Sequence, residues 1–140
     1  MKRNPPSTSG RESVPAKRQG PLRGLFALRH SRDGIAAAWR LESSFRQEVY
    51  VAIILLPIAA LLQVSPPERA LLAATVLLVL LVELINSSVE AAIDRISLDY
   101  NELSGRAKDC GSAAVTVALI ICVMTWCIIV GPPVMAWFHR

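Results

Sequence analysis

The sequence predicts an all-α membrane protein, with three transmembrane helices preceded by an N-terminal amphipathic surface helix. Three observations carry that expectation. The chain of 140 residues is 53% hydrophobic with a mean hydropathy of +0.43, a membrane composition. Its apolar residues are gathered into runs, and residues 49–67, 70–82 and 110–138 carry no charge. Its cations are segregated: ten Lys and Arg precede the first run and Arg95, Arg106 and Lys108 lie between the second and third, against Arg69 and Arg140 on the other side.

A hydrocarbon core about 30 Å thick takes about 20 residues of helix. The first and third runs are long enough. The second reaches that length only by continuing through Glu83 to about residue 89. By the positive-inside rule the N-terminus and the 90–109 loop are cytoplasmic. The net charge of +4 therefore reads as topology and attraction to anionic lipid, and no nucleic-acid partner is expected.

The elements follow in order. Residues 1–21, rich in Pro, Ser, Gly and Arg, cannot bury enough apolar surface to offset chain entropy, so a disordered basic tail is expected ahead of a single membrane domain at 22–140. The first apolar run starts too late, and after too much polar sequence, for a cleaved secretory signal. In "GIAAAWRLESSFRQE", Ile35, Ala38, Trp39, Glu42 and Phe45 recur near helical spacing. That predicts the surface helix over 34–48, with Trp39 and Phe45 at headgroup depth.

The first span is expected over 49–64, with a tolerable kink at Pro57. The turn "VSPPER" then starts the second span, 68–95, as an antiparallel hairpin. The third is expected over 108–131, with Ser104 a candidate N-cap, Pro132 and Pro133 ending the helix, and Trp137 an interfacial aromatic. Cys110, Cys122 and Cys127 lack metal-ligand spacing and read as small apolar residues.

One feature resists a purely structural reading. At 100° per residue, Glu83, Asn86, Glu90 and Asp94 fall within a band about 80° wide on one side of the second span. Scattered solvation does not predict such alignment, and an ionised carboxylate in hydrocarbon costs about 2.5 kcal/mol or more. The band runs from the cytoplasmic boundary toward lipid. It suits chemistry that joins a phosphate-bearing soluble molecule to a membrane-dissolved one. Carboxylates near water can hold Mg²⁺ together with substrate phosphates, and the deeper Glu83 can take the proton of a lipid hydroxyl.

Downstream, "ELSGRAKDCGS" sets Arg106 and Lys108 beside the start of the third helix, where amides and a cation favour phosphate. The chain has no Walker loop and no protein-kinase signature. Three spans cannot enclose a site alone, so polar groups on a helix face also call for association between subunits.

The blocks "AAWRLESSFRQE", "VELINSSVEAAIDR" and "ELSGRAKDCGSAAV" resemble the bacterial integral-membrane diacylglycerol kinase family, which also includes undecaprenol kinases. The match runs from about residue 23 to 130 with the block spacing intact, and it is closer to the diacylglycerol branch. The resemblance implies a homotrimer in the bacterial inner membrane with active sites between subunits. It implies transfer of the γ-phosphate of ATP to diacylglycerol, giving phosphatidic acid in phospholipid recycling.

By the same resemblance Glu83 is the catalytic base, and Glu42 and Glu90 hold the divalent metal and the nucleotide. Lys108 and Asp109 bind nucleotide phosphates, Arg23 reaches them, and His30, Asp99, Tyr100 and Asn101 lie along the nucleotide. The lipid cleft takes Arg23, Ala36, Ala37, Ala38, Trp39, Ser44, Phe45, Arg46, Gln47, Glu48, Glu83 and Ser112. Asn86 and Asp94 support the polar cluster. The sequence departs from the family where His30 replaces a frequent Tyr and Asn101 a common His.

Two readings from other classes compete. A proton-coupled exporter would place its carboxylate near mid-bilayer and have no use for "SGRAKD". A membrane scaffold would require none of Glu42, Glu83, Glu90 and Lys108.

Overall fold

The computed structural model describes residues 23–96, 99 and 101–138, with side chains at 28–96, 99 and 101–135. The tail at 1–21, Tyr100 and the Trp137 side chain lie outside the described residues. Four helices make up the described chain: α1 Arg23–Leu41, α2 Ser43–Leu61, α3 Pro66–Ile96 and α4 Glu102–Phe138. The last three are long and apolar enough to cross a membrane.

The spans follow the expected order with different boundaries. α1 begins well before Gly34 and ends at Leu41, so "SSFRQE" belongs to the first turns of α2 and not to the surface helix. The break is at Glu42, which is extended with φ −104° and ψ 117°. Two consecutive serines follow it, a residue type that favours helix starts over helix interiors. α4 likewise begins earlier than expected. Asn101, not Ser104, caps it: Oδ1 of Asn101 accepts from the amide of Leu103 at 2.9 Å and of Ser104 at 3.3 Å.

Pro132 and Pro133 do not end α4, which continues to Phe138. Each proline removes one backbone hydrogen bond. The flanking bonds keep the helix, the form in which apolar surroundings leave fewest unpaired backbone groups.

The hairpin between α2 and α3 is closed by a side-chain cap. Glu68 Oε2 accepts from the Ser65 amide at 2.8 Å and hydroxyl at 2.6 Å, while Arg69 donates to the Leu62 carbonyl at 3.0 Å. This fixes the antiparallel return of α3 on α2.

α3 packs against both α2 and α4. The core that joins them is built on Ala52, Val76, Val79, Ala118 and Cys122, with Leu55, Leu56, Leu80, Val82 and Trp126 packed around it. Small side chains let the helices approach closely, as they do where apolar surroundings supply no hydrophobic drive between helices. Leu72 is fully buried. Buried Thr75 returns its hydroxyl to the Leu72 carbonyl at 3.0 Å, which satisfies it within its own helix.

α3 has 31 residues, about 46 Å at the helical rise, and so outreaches a hydrocarbon core. The end that carries Asn86, Glu90 and Asp94 can therefore stand at or beyond the lipid boundary while α3 still spans.

Candidate active site

Glu83 is the only acidic side chain classed as buried among the described residues, at 4% exposure. It faces a cleft of about 510 Å³ between α2, α3 and α4. From α3 the cleft receives Glu83, Asn86 and Glu90, the aligned band expected from helical spacing. From α2 it receives Ser44, Gln47 and Glu48, and from α4 Ser112.

Beyond these polar groups the lining turns apolar. Val76 and Val79 continue the α3 stripe, Val51 and Leu55 the α2 wall, and Val115, Leu119 and Cys122 the α4 wall. The cleft is thus graded, with carboxylates at one end and apolar walls at the other.

Two contacts tie the polar end together. Asn86 donates its amide to Oε1 of Glu90 at 3.3 Å. Gly111 of α4 lies directly over Asn86, where a Cβ would collide with Oδ1 of that side chain. Oδ1 of Asn86 and Oε2 of Glu48 are buried without a hydrogen-bond partner. Such acceptors are expensive to leave unsatisfied and stand ready for a hydroxyl or a cation.

Four carboxylates act on one another here. Glu83 lies within Coulomb range of Glu90 and Glu42, and Glu48 within range of Glu83.

Lys108, near the start of α4, bonds Oδ1 of Asp94 at 2.6 Å. It is also within Coulomb range of Glu90. The fourth residue of the band is therefore held by a cation and not turned into the cleft. Asp109 is exposed beside Lys108.

A second groove of about 580 Å³ opens between α1 and α3, lined by Ala37, Ala38 and Glu42 from one side and Leu84, Ser87, Ser88 and Ala91 from the other. The residues expected along one lipid cleft thus divide between two flanks of α3. Ala36 and Trp39 line neither, and Trp39 stands edge-on to Tyr50 at 5.6 Å.

Phe45 is buried away from both grooves. Arg46 donates through Nη1 to the carbonyls of Trp39 at 3.1 Å and Arg40 at 3.4 Å. His30 is exposed on α1, Asp99 lies in the bend between α3 and α4, and Arg23 opens α1 with its side chain outside the described residues.

The donors suit a hard divalent cation. They are carboxylate and amide oxygens, one of each buried and unpartnered, and Mg²⁺ takes oxygen ligands from one or two carboxylates completed by substrate phosphates. Among the described residues no three His, Cys, Asp or Glu side chains gather closely enough to cage a metal by themselves. A site shared with a phosphorylated substrate does not need three.

A buried carboxylate heading a cleft that becomes apolar along spanning helices is the arrangement of a multi-pass membrane enzyme acting on a lipid-borne group. Comparison with known proteins narrows that class. The family model for prokaryotic diacylglycerol kinase matches residues 29–130. The chain is 48% identical over 120 residues to a diacylglycerol kinase of Escherichia coli strain K12, covering 86% of this chain and 93% of that protein. Identity to the Pseudomonas aeruginosa PAO1 diacylglycerol kinase is 50% over 107 residues, 76% of this chain and 87% of the relative. It is 40% over 113 residues to that of Helicobacter pylori strain 26695, 81% and 88% respectively. The chain belongs to the prokaryotic diacylglycerol kinase family and is a multi-pass membrane lipid kinase.

Proposed function

We propose that the chain transfers the γ-phosphate of ATP to the free hydroxyl of diacylglycerol, yielding phosphatidic acid and ADP. The observation that carries this reading is the graded cleft, with Glu83 where its polar and apolar parts meet. A diacylglycerol has the same grading: acyl chains fit the apolar end, and the glycerol hydroxyl comes level with the carboxylates.

In the reaction the lipid oxygen forms a bond to the γ-phosphorus as the bond from that phosphorus to the β–γ bridging oxygen breaks, and ADP leaves. Glu83 accepts the hydroxyl proton as the oxygen attacks. Ser44, Gln47, Glu48 and Ser112 hold the glycerol and its ester groups, and the unpartnered Oε2 of Glu48 orients the hydroxyl. Lys108, with Arg23 and Asp109, binds the phosphates, and His30, Asp99, Tyr100 and Asn101 lie along the rest of the nucleotide. Glu42 and Glu90 would hold Mg²⁺, which supplies charge neutralisation at the phosphates. Asn86 keeps Glu90 in place through the hydrogen bond its side-chain amide donates. Catalysis is then mainly positioning and charge stabilisation.

The chain works as a homotrimer in the bacterial inner membrane, with its N-terminus cytoplasmic and α1 lying along the membrane surface. The orientation is supported by the segregated cations. Assembly is supported by Glu42 and Glu90, which open onto separate grooves of α3 that neighbouring copies can close.

The reading is tested by following labelled γ-phosphate from ATP into lipid in detergent micelles, with diacylglycerol and undecaprenol compared. Faster labelling of diacylglycerol is expected. Labelling of neither alcohol contradicts the reading, and preference for undecaprenol moves the chain to the other branch.

A further inference from the structure

The corner between α1 and α2 has a hydrogen-bond arrangement that the proposed reaction does not explain. A helix leaves its last four carbonyls without intrahelical partners, and in α1 these belong to Ala38, Trp39, Arg40 and Leu41. The amide of Glu42 takes the Ala38 carbonyl at 2.9 Å. The next two are taken by one group from the following helix: Nη1 of Arg46 reaches Trp39 at 3.1 Å and Arg40 at 3.4 Å.

Arg46 also gives its backbone amide to the Glu42 carbonyl at 3.4 Å. A single residue in the first turn of α2 therefore holds both the end of α1 and the residue between the helices. Guanidinium charge at a helix C-terminus adds to the hold, and the Trp39 and Tyr50 rings form a second tie across the corner.

What the corner presents is Glu42. It occupies the N-cap position of α2, where a side chain commonly bonds the exposed amides, yet it makes no capping hydrogen bond. Glu42 instead lines the groove that Ser87 and Ser88 also line and lies within Coulomb range of Glu83.

We propose that Arg46 is a positioning residue that acts through Glu42: by clamping the α1 C-terminus to α2 it fixes the extended backbone at Glu42 and so the direction in which that carboxylate is offered to the metal–nucleotide complex. The inference rests on the assignment of Glu42 to that complex. It departs from the expectation that Arg46 lines the lipid cleft.

Two readouts on the full chain in detergent test it. Mn²⁺ binding is measured from the loss of its free spin-resonance signal in the presence of a non-hydrolysable ATP analogue. Amide hydrogen exchange is measured by mass spectrometry over residues 36–48. Arg46→Ala is expected to weaken Mn²⁺ binding about tenfold, the low end for lost support of a metal ligand, and to speed exchange at the corner. Arg46→Lys, which keeps a cationic donor, is expected to recover most of both.

Glu42→Gln is expected to weaken Mn²⁺ binding, and the double variant Arg46→Ala with Glu42→Gln to bind no more weakly than Glu42→Gln alone, since one residue acts through the other. Additive losses give Arg46 a contact of its own and overturn the proposal. Loss in Glu42→Gln without loss in Arg46→Ala overturns the positioning role alone. Unchanged binding in Glu42→Gln overturns the assignment of Glu42, and the positioning with it. Unchanged exchange in Arg46→Ala overturns the clamp.

Discussion

Nζ of Lys108 lies 2.6 Å from Oδ1 of Asp94, across the gap between α4 and α3 and 14 residues apart in sequence. The pair is half exposed, so solvent screening leaves little of it for stability. Its effect is on the direction of the lysine, which it holds within Coulomb range of Glu90. Asp94→Asn is expected to raise KM for ATP about threefold to tenfold, with KM for lipid and the thermal midpoint nearly unchanged. Initial rates against each substrate check this. An equal rise in both KM values would show that the pair supports the whole site and not the nucleotide.

Gly111 is required by its closeness to Asn86. A methyl group there displaces the side chain that donates to Glu90, so Gly111→Ala is expected to lower activity and to cost about 1–3 kcal/mol, the usual range for overpacking. Denaturant titration measures the loss. Combining it with Asn86→Ser, which removes the obstructing atoms, is expected to recover part of the stability but not the activity.

The apolar end of the cleft should sort substrates by chain length. Leu119 lines it two turns beyond Ser112, about 10 Å farther along α4, and its side chain is exposed, so a larger ring fits without disturbing the core. Leu119→Trp is expected to raise KM for long-chain diacylglycerol by about threefold or more while sparing short-chain analogues, since each displaced methylene weakens binding. Chain-length series in micelles measure the shift.

Removing divalent metal with a chelator is expected to abolish turnover, and Mg²⁺ to restore it. Glu90→Gln should need more Mg²⁺ for half-maximal rate than the native chain. An unchanged metal dependence in that variant would remove Glu90 from the metal site.

Much of the site was legible because helical period is a strong constraint. The angular alignment of Glu83, Asn86 and Glu90 was sufficient to place them together, and extending the same stripe back to Val79 and Val76 would have located the apolar lining as well. The order of the three spans was legible from the uncharged runs, the first and third of which are long enough for a bilayer and the second once continued through Glu83.

The rest depended on contacts between segments. The serines after Glu42 favour a helix start there, but the bond from Arg46 that holds the end of α1 across the corner is encoded by no local propensity. Asn101 prevailed over Ser104 as the α4 cap because it stands immediately before the helix and accepts two of its free amides. The glycine requirement at 111 arises from Asn86, 25 positions earlier on another helix. Pro132 and Pro133 stay within α4 because the rule that prolines end helices weakens in apolar surroundings.

Glu83 as proton acceptor is the centre of the proposed mechanism. The direct measurement is single-turnover transfer of labelled γ-phosphate to diacylglycerol by Glu83→Gln, with ATP and lipid binding measured on the same preparation. Gln preserves the shape and one acceptor oxygen but is no base. Binding within about threefold of the native chain, with transfer slowed by a hundredfold or more, in the range a general base contributes, is the predicted result. Transfer at close to the native rate would contradict it.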